Sequence, residues 1–464
     1  MRIRIVICLL SIAFYASGQL PLRLPSILSD HAVMQQNASV KVWGWGPGSM
    51  TVNIVCSWAP HDTVFAQIGA DCEWQASIKT PKAGKSYAIE FNCGEQKITL
   101  HDIVMGEVWL CSGQSNMEFN MKWGITDAGD FQLNCLNNEI RFFQVKQTYD
   151  KFPQTNCDGE WVICDENSAA SFSSVGYFFG RRLNERLKVP VGLIGVYWGG
   201  TCIQTWMPSE VFLENPELQK FTENIEAYGW APKGASLLYN AMIYPVTAYR
   251  ISGVIWYQGE ANVATEHSDY GELFMAMIRS WRKAFANDFP IEFVQIAPCS
   301  YYQGINAAYL REQQEMALKL PKTGMVSVAD LVDDVSNIHP GKKRMVGERL
   351  ANLALASQYG QPDLRPYSPS FERMTIKSGE VIISVKSLGT VNCREEDARN
   401  FQIAGRDRHF YSGKARIADD GTIRVCAPEV EHPVAVRYCF TNDAIPDIFD
   451  TNGLPLLPFR TDKW

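Results

Sequence analysis

Between residues 104 and 361 the sequence alternates short apolar runs with amphipathic stretches, and this alternation constrains the fold more than any other feature. The apolar runs lie at 108–111, 191–197, 253–257, 291–296 and 325–329. The stretches at 175–187, 270–285, 307–319 and 341–359 repeat apolar residues with helical spacing. Strands that alternate with helices build a mostly parallel sheet. We therefore predict an α/β domain whose functional site lies beyond the carboxyl ends of the strands.

Two flanking segments, 19–103 and 362–464, carry short β-rich runs separated by turns instead. The N-terminal runs lie at 39–45, 52–58, 72–78, 87–92 and 97–103, and the C-terminal runs lie at 374–376, 381–385, 401–403, 415–417, 423–425 and 434–440. Short strands at such spacing are typical of a small antiparallel sandwich or barrel. The 464 residues are therefore predicted to form an α/β domain between two β-sandwich-like domains.

The first residues have the pattern of a secretory signal peptide. Arg2 and Arg4 precede a largely apolar run from Ile5 to Ala16, and small residues follow up to Gly18. This run is too short to span a bilayer, and no later run reaches about 18 residues without charges. We predict a signal peptide at 1–18, an exported protein in the periplasm or outside the cell, and no membrane span.

Charge and cysteine content exclude two classes of function. The chain has 43 Lys and Arg against 50 Asp and Glu, which argues against nucleic acid as a partner because phosphate binding requires a basic face. The 13 cysteines include no C-x-x-C pair and no histidine at metal-ligand spacing, so no metal site is predicted. Cys157 with Cys164, or Cys56 with Cys72 or Cys93, could form disulfides, but spacing alone does not assign partners.

Polar residues follow the first two predicted strands of the α/β domain. Ser115 comes four residues after the strand ending at Cys111, on a tight turn typical of a nucleophile. The sequence around it differs from the G-x-S-x-G elbow of α/β-hydrolases. Gly199 and Gly200 follow the strand ending at Tyr197, where backbone N–H groups can approach a ligand closely.

Two further strand ends carry an amide, an acid and a base. Gln258 and Glu260 follow the strand ending at Tyr257, and His339 lies in the loop after the strand ending at Ala329. Histidine is the commonest general base for a serine because its pKa lies near neutrality. Each of these features alone reads as an ordinary loop. Together, at one edge of one sheet, they predict a single site.

These same segments resemble a known family. GEVWLCSGQSNM at 106–117, IGVYWGGT at 194–201, WYQGEAN at 256–262 and IHPGKK at 338–343 are similar to the motifs of sialate O-acetylesterases and related carbohydrate acetylesterases of the SGNH/GDSL hydrolase superfamily. The likeness extends over essentially the whole chain after the signal peptide. It implies a three-layer SGNH-type domain at 104–361, flanked by the β-sandwich-like domains 19–103 and 362–464.

The resemblance implies a role for each site residue. Ser115 is the implied nucleophile and His339 the implied general base. The N–H groups of Ser115 and Gly200 and the amide of Gln258 are the implied oxyanion hole, with Asn262 as a substitute for Gln258. No metal or organic cofactor is implied.

The acid of the catalytic triad is the point where the sequence departs from the superfamily pattern. The position three residues before the histidine, normally Asp, is Ser336 here, and the next is Asn337. Some related acetylxylan esterases take the acid from the QGE segment, which points to Glu260. Asp333 and Asp334 are nearer in sequence, but we expect them to lie too far back along the loop.

The expected substrate is an O-acetylated carbohydrate, either an O-acetylated sialic acid or an acetylated polysaccharide such as xylan. Gln114, Trp206 and Arg311 are the predicted substrate-binding residues, because an aromatic ring can contact a sugar face and an Arg can pair with a sialate carboxylate. For Trp256 a place in the core is expected. The alternative from another class is a noncatalytic glycan-binding protein on the same scaffold. Oligomeric state is not predicted.

Overall fold

The computed structural model describes residues 20–131, 135–223, 225, 229–265, 268–395 and 397–464. The predicted signal peptide lies outside the described residues, so cleavage and export stay predictions. Within the described part of the chain, no helix is both long and apolar enough to cross a membrane.

The N-terminal part is a small β structure in which most strand pairs are antiparallel, whereas the strands at 33–35 and 96–113 pair in parallel. Its strands are β1 (Val33–Gln35), β2 (Ser39–Trp45), β3 (Thr51–Cys56), β4 (Ala59–Gln67), β5 (Glu73–Lys79), β6 (Tyr87–Cys93) and β7 (Gln96–Gly113). Strand β3 pairs with β4 and β6, β6 pairs with β7, and β2 and β5 form a separate ribbon. Alternate residues of β2, among them Val40 and Val42, are buried, as expected for strands with one face on a core.

Strand β7 joins the N-terminal part to the central sheet without a break. Its first half alternates in burial and pairs with β6, whereas its second half is buried on both faces and enters the central sheet. The sequence suggests two strands here, at 97–103 and 108–111, because the alternating pattern changes into an apolar run. The boundary predicted between residues 103 and 104 therefore falls inside one continuous strand.

The central sheet is mixed but mostly parallel. Its other strands are β8 (Asn137–Gln144), β9 (Trp161–Cys164), β10 (Val191–Tyr197), β11 (Gly253–Tyr257), β12 (Ile291–Val294) and β13 (Thr323–Val326). The order is β13-β12-β11-β7-β10-β8-β9, and only the edge pair β8–β9 is antiparallel. The α/β prediction is thus confirmed at the level of a mixed α/β domain with a largely parallel sheet.

Helices cover both faces of this sheet. They are α1 (Ser115–Glu118), α2 (Glu166–Ser171), α3 (Ser174–Leu187), α4 (Ser209–Glu214), α5 (Pro216–Gln219), α6 (Tyr270–Ala284), α7 (Asn306–Glu315) and α8 (Lys343–Gln358). Consecutive residues of β11 belong to different cores: Trp256 packs with α6 and α7, and Tyr257 lies in the core with α3 and α8. The side chains of a strand alternate between its two faces, so the two cores lie on opposite sides of the sheet.

The C-terminal part is a second antiparallel β structure. Its strands are β14 (Ser370–Lys377), β15 (Glu380–Lys386), β16 (Val391–Cys393), β17 (Ala398–Ala404), β18 (Phe410–Ile417), β19 (Ile423–Cys426), β20 (Ala435–Tyr438), β21 (Ile448–Asp450) and β22 (Phe459–Arg460). Seven of them form one sheet in the order β14-β15-β19-β18-β17-β20-β22, and β16 pairs with β21. Arg460 forms an ion pair with Glu312 of α7, which fastens this part to the α/β domain.

The cysteines lie mostly in the core. Twelve of them fall in the described residues; none of these is in a disulfide, and Cys56, Cys93, Cys157 and Cys164 are among the buried ones. Buried thiols in such positions act as small apolar side chains.

Candidate active site

Three adjacent strands of the central sheet end at the same level. Gly113 at the end of β7 pairs with Tyr197 of β10 on one side and with Tyr257 of β11 on the other. Gly113 has φ of +139°, and a Cβ atom there would lie 2.1 Å from the Tyr257 carbonyl oxygen, so only glycine fits. The segments that follow these strands therefore meet at one edge, as predicted from the sequence.

The structure brings Ser115 and His339 together. Ser115 is the first residue of α1, and its Oγ lies 2.8 Å from Nε2 of His339. His339 lies in the loop between β13 and α8, where its backbone N–H donates to Oδ1 of Asn337 at 2.9 Å. A serine hydroxyl in hydrogen-bond contact with an imidazole is the arrangement that activates a nucleophile.

The environment of His339 favours its neutral form. Burial lowers the pKa of His339 below its usual 6.5, and the charge of Lys343 lowers it further. The ring lies 6.1 Å from that of Phe119, centroid to centroid. A neutral imidazole can accept the Ser115 proton, so these surroundings suit a general base.

The triad prediction requires Glu260 to contact His339. The structure shows no hydrogen bond between these two residues. The Glu260 carboxylate is buried, and its Oε1 accepts a hydrogen bond of 2.5 Å from Nδ2 of Asn116. Its Oε2 has no hydrogen-bond partner among the described residues. Burial raises the pKa of Glu260, while the Asn116 hydrogen bond and the Lys343 charge act in the opposite direction.

The two aspartates of the His339 loop, Asp333 and Asp334, form hydrogen bonds or ion pairs with nearby residues and not with His339. Asp334 is exposed and accepts hydrogen bonds from the N–H and the hydroxyl of Ser336. Asp333 is paired with Lys342. Both aspartates thus have partners within the loop or at the start of α8. Nδ1 of His339 has no hydrogen-bond partner in the described part of the chain.

Two backbone N–H groups near Ser115 are available to a ligand. Gly200 has φ of +73°, and neither its N–H nor that of Ser115 has an acceptor among the described residues. The N–H group of Gly199, the residue before Gly200, donates a hydrogen bond of 2.7 Å to Oε2 of Glu118. This bond fixes the backbone next to Gly200. A Cβ atom on Gly199 would lie 3.2 Å from Cβ of Ser115. These two N–H groups are therefore free to donate to a ligand, as the expected oxyanion hole requires, and their role stays a prediction.

The expected side-chain donor of this hole, Gln258, lies elsewhere. Gln258 is fully buried; its Nε2 donates to the Thr201 carbonyl at 3.1 Å and to Oδ1 of Asn262 at 2.8 Å, and its Oε1 accepts from Tyr270. The Asn262 amide donates to Gln204 at 2.9 Å. Both amides form a polar layer below the site. Both side chains form their hydrogen bonds inside the protein, and neither lines the cleft.

Gln114 has the geometry that Gln258 lacks. Gln114 lines the cleft, and its Oε1 accepts hydrogen bonds from the N–H groups of Gly259 and Ala261 at 3.4 and 3.2 Å. These two donors fix which end of the amide is oxygen. Its Nε2 has no partner among the described residues, so this amide can donate to a ligand beside Ser115.

The other two predicted substrate contacts are structural residues. Trp206 is fully buried, and its indole N–H donates to Thr201 Oγ1 at 3.0 Å. Arg311 is 1% exposed, and its guanidinium donates to the backbone carbonyls of Thr441 and Asn442. Burial lowers the pKa of Arg311 to about 10. Neither side chain reaches the cleft, and Trp256 is also in the core, as expected.

The Ser115–His339 pair lies in a cleft of about 670 Å³. Its lining includes aromatic, acidic and amide side chains that the sequence motifs do not single out; these are Glu118, Trp123, Gln147, Trp230 and Tyr301. Trp230 and Tyr301 are 67% and 70% exposed. These rings lie in separate loops, so the sequence gives no signal that they share one site. Trp198 and Gly199, which follow β10, also line the cleft.

The described residues hold no group of three or more His, Cys, Asp or Glu side chains placed to bind a metal ion.

Comparisons with known proteins identify the family. Residues 105–356 match the family model described as carbohydrate esterase, sialic acid-specific acetylesterase. The chain belongs to this family. A carbohydrate acetylesterase from Xanthomonas citri has a similar crystal structure, with a TM-score of 0.86 and 31% identity over 96% of this chain and 100% of that one.

Curated relatives agree with this assignment. The sialate O-acetylesterase of Rattus norvegicus is 26% identical, with 90% of this chain and 89% of that protein aligned. The sialate O-acetylesterase of Homo sapiens is 25% identical over 84% of this chain and 81% of that protein. The protein is therefore a carbohydrate O-acetylesterase, that is, a carboxylic ester hydrolase.

Proposed function

We propose that the protein removes O-acetyl groups from glycans through an acetyl-enzyme formed on Ser115. The observation that carries this mechanism is the 2.8 Å contact between Ser115 Oγ and His339 Nε2. The contact lies in a cleft that also presents the free N–H groups of Ser115 and Gly200. A nucleophile, a base and oxyanion donors within one cleft are what acyl transfer requires.

In the first half of the reaction, His339 takes the proton of Ser115 as Oγ attacks the acetyl carbonyl carbon. The resulting oxyanion accepts hydrogen bonds from the N–H groups of Ser115 and Gly200 and from Nε2 of Gln114. The bond from the acetyl carbon to the sugar oxygen then breaks, and His339 gives its proton to that oxygen.

In the second half, water takes the place of the sugar hydroxyl. His339 removes a proton from the water as its oxygen attacks the acetyl-enzyme carbonyl. The bond to Ser115 Oγ breaks, the proton returns to Ser115 through His339, and acetate leaves. No metal or cofactor takes part in this proposal.

Two substrate classes have support. The curated relatives are named sialate O-acetylesterases, which favours O-acetylated sialic acids. The cleft itself favours an uncharged acetylated polysaccharide, because the described residues that line it include Glu118 and Glu260 but no Lys or Arg that could pair with the carboxylate of a sialic acid. The aromatic rings of Trp123, Trp198 and Tyr301 suit the faces of neutral sugars.

Acetate release from 4-nitrophenyl acetate tests the mechanism. Ser115→Ala is expected to lower kcat at least a thousandfold, whereas the control Ser209→Ala, an exposed serine at the start of α4, keeps wild-type activity. An inactive wild-type protein that still binds acetylated glycans would instead support the noncatalytic glycan-binding alternative. A panel of 9-O-acetylated sialic acid and acetylated xylan then decides between the two substrate classes by kcat/KM.

We further propose that residues 1–18 are a cleaved signal peptide and that the mature enzyme is exported. The support is the sequence pattern around Arg2 and Arg4. N-terminal sequencing of the protein from a periplasmic or culture fraction should give a start near Gln19. An intact N-terminus on cytoplasmic protein would contradict it.

A further inference from the structure

The side chain of Asn116 connects the backbones on either side of the catalytic contact. Asn116 follows Ser115 in the chain, and its Nδ2 donates a hydrogen bond of 3.1 Å to the carbonyl oxygen of Ile338, the residue before His339. One amide thus ties the turn that carries the nucleophile to the loop that carries the base.

Two buried charged groups fix the orientation of this amide. Lys343 Nζ donates to Oδ1 of Asn116, and Glu260 Oε1 accepts from Nδ2 at 2.5 Å. The backbone carbonyl of Ile338 can only accept, so the NH₂ group must face Ile338 and Glu260, and Oδ1 faces Lys343. Asn116 is fully buried, which excludes water as a competing partner and strengthens each of these hydrogen bonds.

The position of Lys343 is itself set by the surrounding structure. Lys343 is the first residue of α8 and is fully buried, and its Nζ lies 5.0 Å from the ring centroid of Phe119 and 5.3 Å from that of Tyr257. Asp127 accepts hydrogen bonds from the backbone N–H groups of Arg344 and Met345, which holds the first turn of α8.

We propose that Asn116, oriented by Lys343 and Glu260, is the positioning residue that holds His339 against Ser115. The inference rests on the proposed serine mechanism. Within the described residues no carboxylate contacts Nδ1 of His339, the place where a triad acid would act. Here the base is oriented through the backbone of its loop, and Glu260 acts on it only through Asn116.

The charged groups around the pair give this arrangement a pH signature. Lys343 of α8 is the charged group that acts on His339 and lowers its pKa. Glu260, in the turn after β11, and Asp127, in the segment between α1 and β8, act on Lys343, whose pKa burial lowers to about 7. Glu118 of α1 lines the same cleft. Loss of the Lys343 charge should therefore raise the pKa of His339.

The test is Asn116→Asp, which keeps the acceptor for Lys343 but loses the donor to Ile338 and Glu260. We expect kcat on 4-nitrophenyl acetate to fall 30- to 100-fold with KM within threefold, because a small displacement of a catalytic group costs about 10²-fold. The matched control is Asn184→Asp, since the Asn184 amide also donates to a carboxylate, Glu139, and to a backbone carbonyl, that of Val189. The control should lose thermal stability and keep kcat.

A fall in thermal stability without a fall in kcat for Asn116→Asp would overturn the proposal. If that variant does not fold, the double variant Lys343→Met/Glu260→Gln removes both buried charges together, a change that proteins often tolerate. It leaves Asn116 in place without its fixed orientation. We expect a lower kcat and an acid limb of the pH profile at higher pH than in the wild type. An unchanged kcat and acid limb would also overturn the proposal.

Two variants together distinguish a failure of the positioning role of Asn116 from a failure of the proposed serine mechanism. If Ser115→Ala keeps wild-type activity, the serine mechanism is wrong whatever Asn116 does. If Ser115→Ala is inactive and Asn116→Asp is fully active, the mechanism stands and only the positioning role is wrong.

Discussion

The amide of Asn116 donates to the carbonyl oxygen of Ile338 at 3.1 Å, and these residues are the chain neighbours of Ser115 and His339. The nucleophile and the base come from segments more than 200 residues apart, so their contact needs a tertiary connection. The same amide donates to Glu260. The residue predicted as the triad acid therefore contacts Asn116 and not the histidine.

The pH dependence of the enzyme should show a depressed histidine. Because burial and Lys343 lower the pKa of His339 below 6.5, the neutral base persists to lower pH than for a free histidine. The acid limb of kcat/KM is expected to reach half of its maximum below pH 6.5. A kinetic pH profile on a neutral ester, checked by histidine titration in Ser115→Ala by NMR, tests this. A half-point at or above pH 6.5 would show that these surroundings do not act on the base.

Gln114 and Gln258 should differ in what they contribute. Gln114→Ala removes a proposed oxyanion donor, and we expect kcat to fall about a hundredfold with KM little changed. Gln258→Ala leaves the buried partners Thr201, Asn262 and Tyr270 unsatisfied, and should lower the free energy of unfolding by about 2 kcal/mol. Steady-state kinetics and urea unfolding of both variants separate the two effects. A large loss of kcat in a Gln258→Ala protein of unchanged stability would show that Gln258 does donate to the oxyanion.

Glu260→Gln distinguishes a supporting carboxylate from a triad acid. A carboxylate that acts through Asn116 should cost about tenfold in kcat when neutralised, whereas replacement of a true triad acid costs about 10⁴-fold. The control is Asp334→Asn, because Asp334 is exposed and accepts a hydrogen bond from the hydroxyl of Ser336. This variant should change kcat less than twofold. A loss near 10⁴-fold for Glu260→Gln would mean that the carboxylate contacts His339 during turnover. A large loss of kcat for Asp334→Asn would instead indicate that Asp334, in the His339 loop, is the triad acid.

The exposed aromatic rings should contribute to glycan binding but not to the chemical step. We expect Trp123→Ala and Tyr301→Ala to raise KM for an acetylated polysaccharide three- to tenfold, since the stacking contribution of a ring is about 1 kcal/mol. Kinetic constants for 4-nitrophenyl acetate should stay within twofold. Trp464→Ala serves as the control, because that ring packs near Arg408 and Phe410 in the C-terminal part. Equal losses on both substrates would indicate a general disturbance of the cleft.

Arg311 should affect stability and not substrate recognition. Its guanidinium donates to the carbonyls of Thr441 and Asn442 from a buried position, so Arg311→Met is expected to lower the free energy of unfolding by about 3 kcal/mol. KM for sialate and neutral substrates should not change. Arg279→Met, on the exposed side of α6, is the control and should stay within about 0.5 kcal/mol. A selective rise in KM for acetylated sialic acid would contradict this assignment.

Local patterns were sufficient for most of the elements. The spacing of apolar residues predicted α3, α6 and α8 and the strands β10 and β11 nearly to their ends, since burial of one helix face or of a whole strand leaves a direct mark on the sequence. The same patterns did not show that β7 is continuous. A strand that is half exposed in one sheet and fully buried in the next changes its pattern midway and reads as two.

The reactive pair was also within reach of the sequence. Ser115 and His339 follow strand ends of a parallel sheet, and such ends converge on one edge. Their motifs resemble those of a known family, and the family assignment is confirmed. What these motifs could not give is the direction of each side chain. Gln258 and Asn262 occupy motif positions but point into a buried polar layer, whereas Gln114 lines the cleft.

The sequence by itself thus determined the α/β domain and the order of its strands along the chain, and it predicted the nucleophile and the base, because each of these depends on local periodicity or on a short motif. The tertiary structure alone decided which polar groups meet. The assembly of Asn116, Glu260 and Lys343, and the gathering of Glu118, Trp123 and Tyr301 around one cleft, join residues far apart in the chain. Such contacts are set by the packing of whole elements, and no local pattern records them.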